Sequence, residues 1–349
     1  MSGTLAKRLA RVLHWSVAAL LLLLVAVVLG IAIGETRIPV RVVFEVLSNK
    51  LAGGNYAVDP IDQGIVWNYR LTRALVAAAC GAGLAISGVM LQSLLRNALA
   101  EPYLLGISAG ASTGAVLVSV AGLGAGAISM TTGAFFGAVC AFSMVALLAH
   151  AAGSGGLRNS GQIVLAGIAG SQLFNALTSL IITKSGSAEQ ARGIMFWLLG
   201  NLSGVRWSDT FLTVAVALVG MVICVLHARA LDAFTFGSES AASLGVPVRR
   251  VQLTLLLVAA LITAVMVSIV GAIGFVGLVI PHAARLLVGV RHSRLIPASA
   301  LIGAIFLIAA DVVSRTLIPG QVLPIGVITA LVGAPVFAGI LLKGKGARR

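Results

Sequence analysis

Acidic residues are scarce in this chain, cysteines scarcer, and a nucleotide loop is missing altogether. Only ten of the 349 residues are Asp or Glu, against 24 Lys and Arg. Ion-coupled carriers keep carboxylates within their helices as proton or sodium sites. Here Asp311 alone lies well inside an apolar run, and Arg315 follows one turn later, where an ion pair is the simpler account. No G-x-x-x-x-G-K-S/T sequence occurs, which excludes ATP binding and hydrolysis by that device. Cys80, Cys140 and Cys224 stand singly in apolar runs, without the spacing of a metal site or a disulfide framework, and read as small packing residues.

What is present is apolar. Hydrophobic residues make up 59% of the chain, in runs of about 20, the length a helix needs to cross a hydrocarbon core roughly 30 Å thick. The 41 glycines and 5% aromatics suit helices that pack through small residues. Runs lie near residues 14–34, 74–95, 103–123, 128–150, 162–183, 209–227, 251–269, 274–290, 296–314 and 323–342. They predict one all-α polytopic membrane domain over 1–349, with ten transmembrane helices and both termini cytoplasmic.

The stretch 251–290 decides that count. Taken as two crossings, it leaves fifteen Lys and Arg inside and nine outside; taken as one, it reverses the tally, against the positive-inside rule. The net charge of +14 sits in short loops, where it sets orientation, so it does not point to nucleic acid. The run Trp15 to Ile33, behind Lys7, Arg8 and Arg11, imitates a signal peptide but exceeds the roughly 7–15 residues of a cleavable core. It reads as a retained first helix.

Several local patterns have two readings. The glycine-rich turn Gly271 to Gly277 is tolerated at membrane depth only when buried in protein or lining a cavity, and it reads as either a pathway wall or a tight helical hairpin. Residues 36–68 are long enough for an interfacial helix and a loop, and Met195 to Leu199, within 184–208, fits a short helix at the outer surface. Gly106-Ile107-Ser108-Ala109-Gly110 matches a nucleophile-elbow motif, but beside a membrane helix the same letters supply small residues four apart for packing. His282 lacks an H-E-x-x-H partner and reads as structural, and Asn201-Leu202-Ser203 fits a glycosylation triplet of the kind that arises by chance. Gln172 and Asn175, in the run from Gln162 to Thr183, are either substrate contacts or interhelical hydrogen-bond partners.

Two loops carry a functional reading. Phe234 to Pro247 is bounded by glycine and proline, has the composition of a short surface helix, and exceeds the usual connector of about two to eight residues. It is expected to be gripped by another protein, with an ordinary connector as the alternative. Arg70, Arg73 and Arg315 fall at the outer ends of their runs, against the orientation bias, where they invite an acidic partner or lipid headgroups.

With these residues in place, the chain resembles the FecCD-type permeases, membrane subunits of bacterial ABC importers for ferric siderophores, haem and vitamin B12. The matching blocks are Arg70-Leu71-Thr72-Arg73, Gln92, Arg96 through Pro102, Leu105 through Gly110, and Phe196-Trp197-Leu198-Leu199-Gly200. Downstream come Ser240-Ala241 with Leu244-Gly245-Val246, Gly274 through His282, Leu323 through Gly326, and Gly333 through Phe337. The resemblance implies a vitamin B12 permease-like fold in the bacterial cytoplasmic (inner) membrane and a homodimer of permeases around a central passage. It also implies two ATP-binding subunits, which hold ATP and Mg, a periplasmic or lipid-anchored substrate-binding protein, and no cofactor or catalysis on this chain.

It further implies roles. Gly237, Ser238, Glu239, Ser240, Ala241, Leu244 and Gly245 correspond to the segment that couples to the ATPase. Arg70, Arg73 and Arg315 correspond to basic positions that meet the binding protein, and Asn97, Leu99, Asn159 and Ser160 to a cytoplasmic gate. The chain departs from the family pattern at Thr72 and Ala98, where proline is common, and at Ser238, where an acid is frequent and Glu239 stands next door. Cargo stays open among an iron chelate, haem and a corrinoid, with an ion-coupled carrier as the rival from another class.

Overall fold

The computed structural model of the chain describes residues 2–121, 128–152, 160–184 and 187–346, and among these it contains no strand, only a lone bridge between Ile318 and Gln321. Helix α1 (Ser2–Ala32) leads to α2 (Val40–Leu51) and α3 (Pro60–Gly64), inside the segment expected to hold an interfacial helix and a loop. Asp59 starts α3 by accepting a hydrogen bond from the Ile61 N–H (2.7 Å), with Pro60 at the first helical position. A wide π-type turn, Ile65–Arg70, runs straight into α4 (Leu71–Leu94), so this helix begins well before the expected boundary at 74.

There follow α5 (Ile107–Ala121), α6 (Met130–Ala151), α7 (Ser160–Ile182) and the short α8 (Ala188–Leu198). Next are α9 (Trp207–Leu226), the small helices α10 (Ala228–Phe234) and α11 (Ser238–Ser243), and α12 (Val248–Val270). The chain closes with α13 (Val276–Val288), α14 (His292–Thr316) and α15 (Ile325–Gly346). Among the described residues six helices are long and apolar enough to cross a bilayer, and four shorter apolar ones, Ser16–Ala32, Ile107–Val120, Val276–Val288 and Ile325–Gly339, stand at the remaining expected positions.

Helix α4 is the hub. It is buried on nearly every side, packed against α14, α9, α12 and α13, which is why its sequence shows no polar face. Helices α5, α6 and α7 form a second group. Gly110 and Gly114 of α5 meet Gly133 and Gly137 of α6 so closely that a Cβ at any of the four would collide with the other helix. The small residues of the elbow-like motif therefore serve packing. Ser108 is half-buried, and among the described residues no acid or histidine bonds to its hydroxyl.

The glycine-rich turn is not a tight hairpin. Helix α13 has 13 residues, about 20 Å at 1.5 Å per residue, short of a hydrocarbon core of roughly 30 Å. An irregular strap, Gly271 to Phe275, makes up the difference inside the protein, with both of its ends left-handed (φ 75° and 69°). Its central backbone is satisfied by one side chain. Tyr103 Oη accepts from the Ile273 N–H and donates to the Ile273 C=O, both at 2.8 Å. A backbone amide left unpaired in hydrocarbon costs several kcal/mol, so this phenol permits the break.

Pro281 inside α13 creates a second gap, because it has no N–H for the carbonyl of Gly277 one turn earlier. Gln92 of α4 fills it, donating from Nε2 to the C=O of Gly277 (3.1 Å) and Leu278 (3.2 Å) while its Oε1 accepts from Arg285 (2.6 Å). Gln92→Ala should therefore cost about 1–3 kcal/mol by orphaning that carbonyl. Pro281→Ala, which restores an N–H to it, should recover part of the loss. Melting of the two single variants and the double variant in detergent checks this; equal losses from Gln92→Ala in both backgrounds would refute the pairing.

Candidate functional site

Polar chemistry gathers at the two ends of α4. At its C-terminal end, the chain after α9 turns back on itself through α10 and α11. The boundaries of α11 follow from its sequence. Gly237 precedes it at φ 105°, which glycine alone adopts readily, and Gly245 ends it at φ 81°. The Val246 N–H returns to the Ala241 C=O (3.0 Å) and the Gly245 N–H to the Ala242 C=O (2.9 Å), a Schellman ending followed by Pro247.

Ala241 is fully buried and roots α11, while Ser240 and Ser243 donate their hydroxyls back to the carbonyls of Phe236 and Glu239. That leaves an exposed platform. Phe236 is 76% exposed at one end and Leu244 71% at the other, with Glu239, Ala242 and Gly245 open between and beyond them and Ser238 half-exposed. Two large apolar side chains so placed lie outside this chain's own core.

Beside this platform α4 ends with Arg96 in the left-handed region (φ 49°), the Asn97 N–H reaching back to the Gln92 C=O at 3.1 Å. Asn97 Oδ1 then accepts from the Leu99 N–H (2.9 Å), and Leu99 is 49% exposed. The turn so formed also holds Glu101, half-buried, whose carboxyl burial pushes above the usual carboxylate range. Of the other two gate positions, Asn159 lies outside the described residues, and Ser160 is described only as the first residue of α7.

At the opposite end the placing of the three arginines at the surface, open to an acidic partner or to headgroups, is corrected. Arg70, Arg73 and Arg315 are 2%, 1% and 1% exposed. Asp311 lies between two of them, 2.6 Å from Arg73 Nη2 and 3.0 Å from Arg315 Nη2. Arg73 also donates to Tyr69 Oη and Ser203 Oγ, both at 2.8 Å. Arg70 donates to the carbonyls of Ile31, Ala32 and Thr36, and Arg315 to those of Gly30 and Ile33 at 3.0 Å. Apart from that of Thr36, these are the carbonyls that the end of α1 leaves without helical partners. The guanidinium groups thus find their acceptors inside the protein. The pair Asp311–Arg315 was legible at i, i+4; the contribution of Arg73, 238 residues away, was not.

Gln172 and Asn175 are both exposed on α7, and neither side chain bonds to another helix among the described residues, so the interhelical reading does not hold within this chain. The inward face of α7 is instead held by Thr178, which shares a hydrogen bond with Thr113 of α5 (2.8 Å). Ser203 of the apparent glycosylation triplet is an acceptor for Arg73. Among the described residues no cluster of His, Cys, Asp and Glu could hold a metal. Sequence reasoning missed Tyr103 and gave Gln92 no role. A glutamine in an otherwise apolar run, with a proline four residues after a glycine elsewhere, was the available signal.

Comparison with known proteins accords with this architecture. The FecCD transport family matches residues 22–343. The ABC transporter permease protein YvrB of Bacillus subtilis is 40% identical, covering 92% of this chain and 91% of its own length. The cobalamin import permease BtuC of Halobacterium salinarum is 37% identical over 95% and 96%, and more distant relatives are named as hemin and molybdate permeases. A solved inward-facing structure of a metal-chelate type ABC transporter superposes with a TM-score of 0.80 at 30% identity, covering 93% of this chain and 98% of that one. An all-helical membrane bundle with an exposed platform at one end and matching sequence along nearly its whole length thus belongs to the FecCD transport family, as an ABC importer permease of the cytoplasmic membrane.

Proposed function

We propose that this chain passes an iron chelate, a ferric siderophore or haem, across the cytoplasmic membrane, with vitamin B12 as the alternative cargo. Energy comes from a separate ATPase that grips α11. The observation that carries this reading is the platform itself: Phe236 and Leu244 exposed at either end of a six-residue helix rooted through Ala241. In this reading Gly237 and Gly245 set the bend, Ser238, Glu239 and Ser240 supply polar contacts, and Glu239 substitutes for the acid absent at Ser238.

With ten crossings, both termini and α11 lie on the cytoplasmic side, the gate turn of Asn97 and Leu99 beside it; Ser160, at the start of α7, completes the gate together with Asn159. A second copy packs across the exposed face of α7, because Gln172 and Asn175 would be costly against lipid and suit a water-filled passage between two copies. A binding protein delivers cargo at the far end. There Arg70, Arg73 and Arg315 shape the mouth from beneath, holding together the ends of α1, α4 and α14 on which the binding protein docks.

Reconstitution tests the reading. Vesicles holding the chain, its ATPase and its binding protein are offered hemin, a ferric hydroxamate or cyanocobalamin, and one of the three should accelerate ATP hydrolysis and enter the lumen. Vesicles holding the chain alone should accumulate none of them under a proton or sodium gradient. Accumulation by the chain alone would establish an ion-coupled carrier instead.

A further inference from the structure

Helix α14 has no side-chain cap of its own, since Arg291 makes none. Its first amide is taken by a residue from another element: Asp232 of α10 accepts from the His292 N–H at 2.9 Å, and the same Oδ1 lies 2.7 Å from the ring Nδ1. The other ring nitrogen, Nε2, lies 2.7 Å from Ser93 Oγ on α4. Three elements thus meet in one hydrogen-bonded row, with His292 2% and Ser93 7% exposed. The order Asp–His–Ser imitates a hydrolase triad, but Ser93 is buried in the bundle and its hydroxyl also bonds the Val89 C=O (2.9 Å), so a nucleophilic role has no approach for a substrate.

The row lies two residues before Phe234 and five before Gly237, at the root of the platform. It also closes one end of a clamp. Helices α4 and α14 touch along their length, with Gly81 against Gly303 too close for a Cβ on either. At their far ends Arg73 of α4 and Asp311 of α14 pair at 2.6 Å. The two helices are therefore fixed to each other at both ends by charged or directional bonds. Apolar contacts such as those of Leu231 and Phe234 of α10 can slide, whereas a capped amide and a shared carboxylate oxygen hold one geometry.

We propose that Asp232, His292 and Ser93 are positioning residues for transport: they fix the α10–α11 platform to the α4–α14 pair, so that displacement of α11 by its partner moves the pair as one body. The proposal rests on the reading that an ATPase grips α11. Its test uses the permease–ATPase complex in vesicles, with Leu99→Cys as a maleimide reporter and Cys140→Ala to remove the exposed native thiol; Cys80 and Cys224 are buried.

Trapping the ATPase with vanadate and ADP should change the labelling rate by roughly fivefold or more, the low end of coupling between sites. In Asp232→Ala and in His292→Ala the ATPase should still co-purify and hydrolyse ATP, while the labelling response falls below about twofold. Asp232→Asn, which keeps an oxygen for the His292 N–H, should restore most of the response, and the milder Ser93→Ala, which removes only a hydroxyl, should reduce it. A variant response equal to that of the unmodified linkage, with the ATPase bound, overturns this proposal alone. Failure of the unmodified chain to hold the ATPase overturns the platform reading and this one together.

Discussion

Asp311→Ala should destabilise the folded chain by about 3–5 kcal/mol, the range found when one partner of a buried ion pair is removed. The reason is the company Asp311 keeps. Its carboxylate is the only anion between two guanidinium groups that are each 1% exposed, and Arg70 lies nearby with carbonyl partners alone. Without the carboxylate, Arg73 retains only Tyr69 and Ser203, and Arg315 retains carbonyls; two charges then stay buried against weak dipoles. Asp311→Asn keeps the shape and loses the charge, so it should fall between the wild type and the alanine variant. The pair Arg41–Glu45, at 2.7 Å and one helical turn apart with Arg41 open to solvent, is the internal control. Breaking it by Arg41→Ala should leave the melting temperature almost unchanged. Melting in detergent measures all three. A melting temperature for Asp311→Ala within the range of the control would refute the clamp at this end of α4.

Phe236→Ala and Leu244→Ala should each weaken binding of the partner ATPase by roughly tenfold or more, and together abolish co-purification. Both residues are more than two-thirds exposed, so each substitution removes few contacts within this chain and the melting temperature should barely move. That separation is the point of the experiment. A loss of affinity accompanied by a loss of stability would mean that α11 had been disturbed as a whole. A loss of affinity alone assigns the side chains to the contact, and undiminished affinity in the double variant would exclude the platform as the site of grip.

The parts of the architecture legible in the sequence are those imposed by the solvent. Hydrocarbon demands apolar runs of a given length, and every expected run coincides with an apolar helix, while Gly237, Gly245 and Pro247 announced the ends of α11. The misreadings share one cause. Arg70, Arg73 and Arg315 look like surface charges when read locally, because the groups that hold them inward, the carbonyls of Gly30 to Thr36 and the side chain of Ser203, are distant in sequence or are backbone atoms that carry no letter. The strap at Gly271 to Phe275 was visible as a break, but its course depended on a hydroxyl 170 residues away. The row Asp232, His292 and Ser93 spans three separate elements and has no local pattern at all.

A rod bolted at both tips has no slack. Since α4 and α14 are joined near Ser93 and His292 at one end and near Arg73 and Asp311 at the other, neither can lengthen, slip or tilt against its companion without breaking a bolt. A change of shape that keeps both bolts has to fall elsewhere, and next to this pair the helical backbone is interrupted at the Arg96–Glu101 bend and the five-residue strap before α13. If the bundle bends, the expectation is that it bends at those two places and not within its longest and best-packed segments.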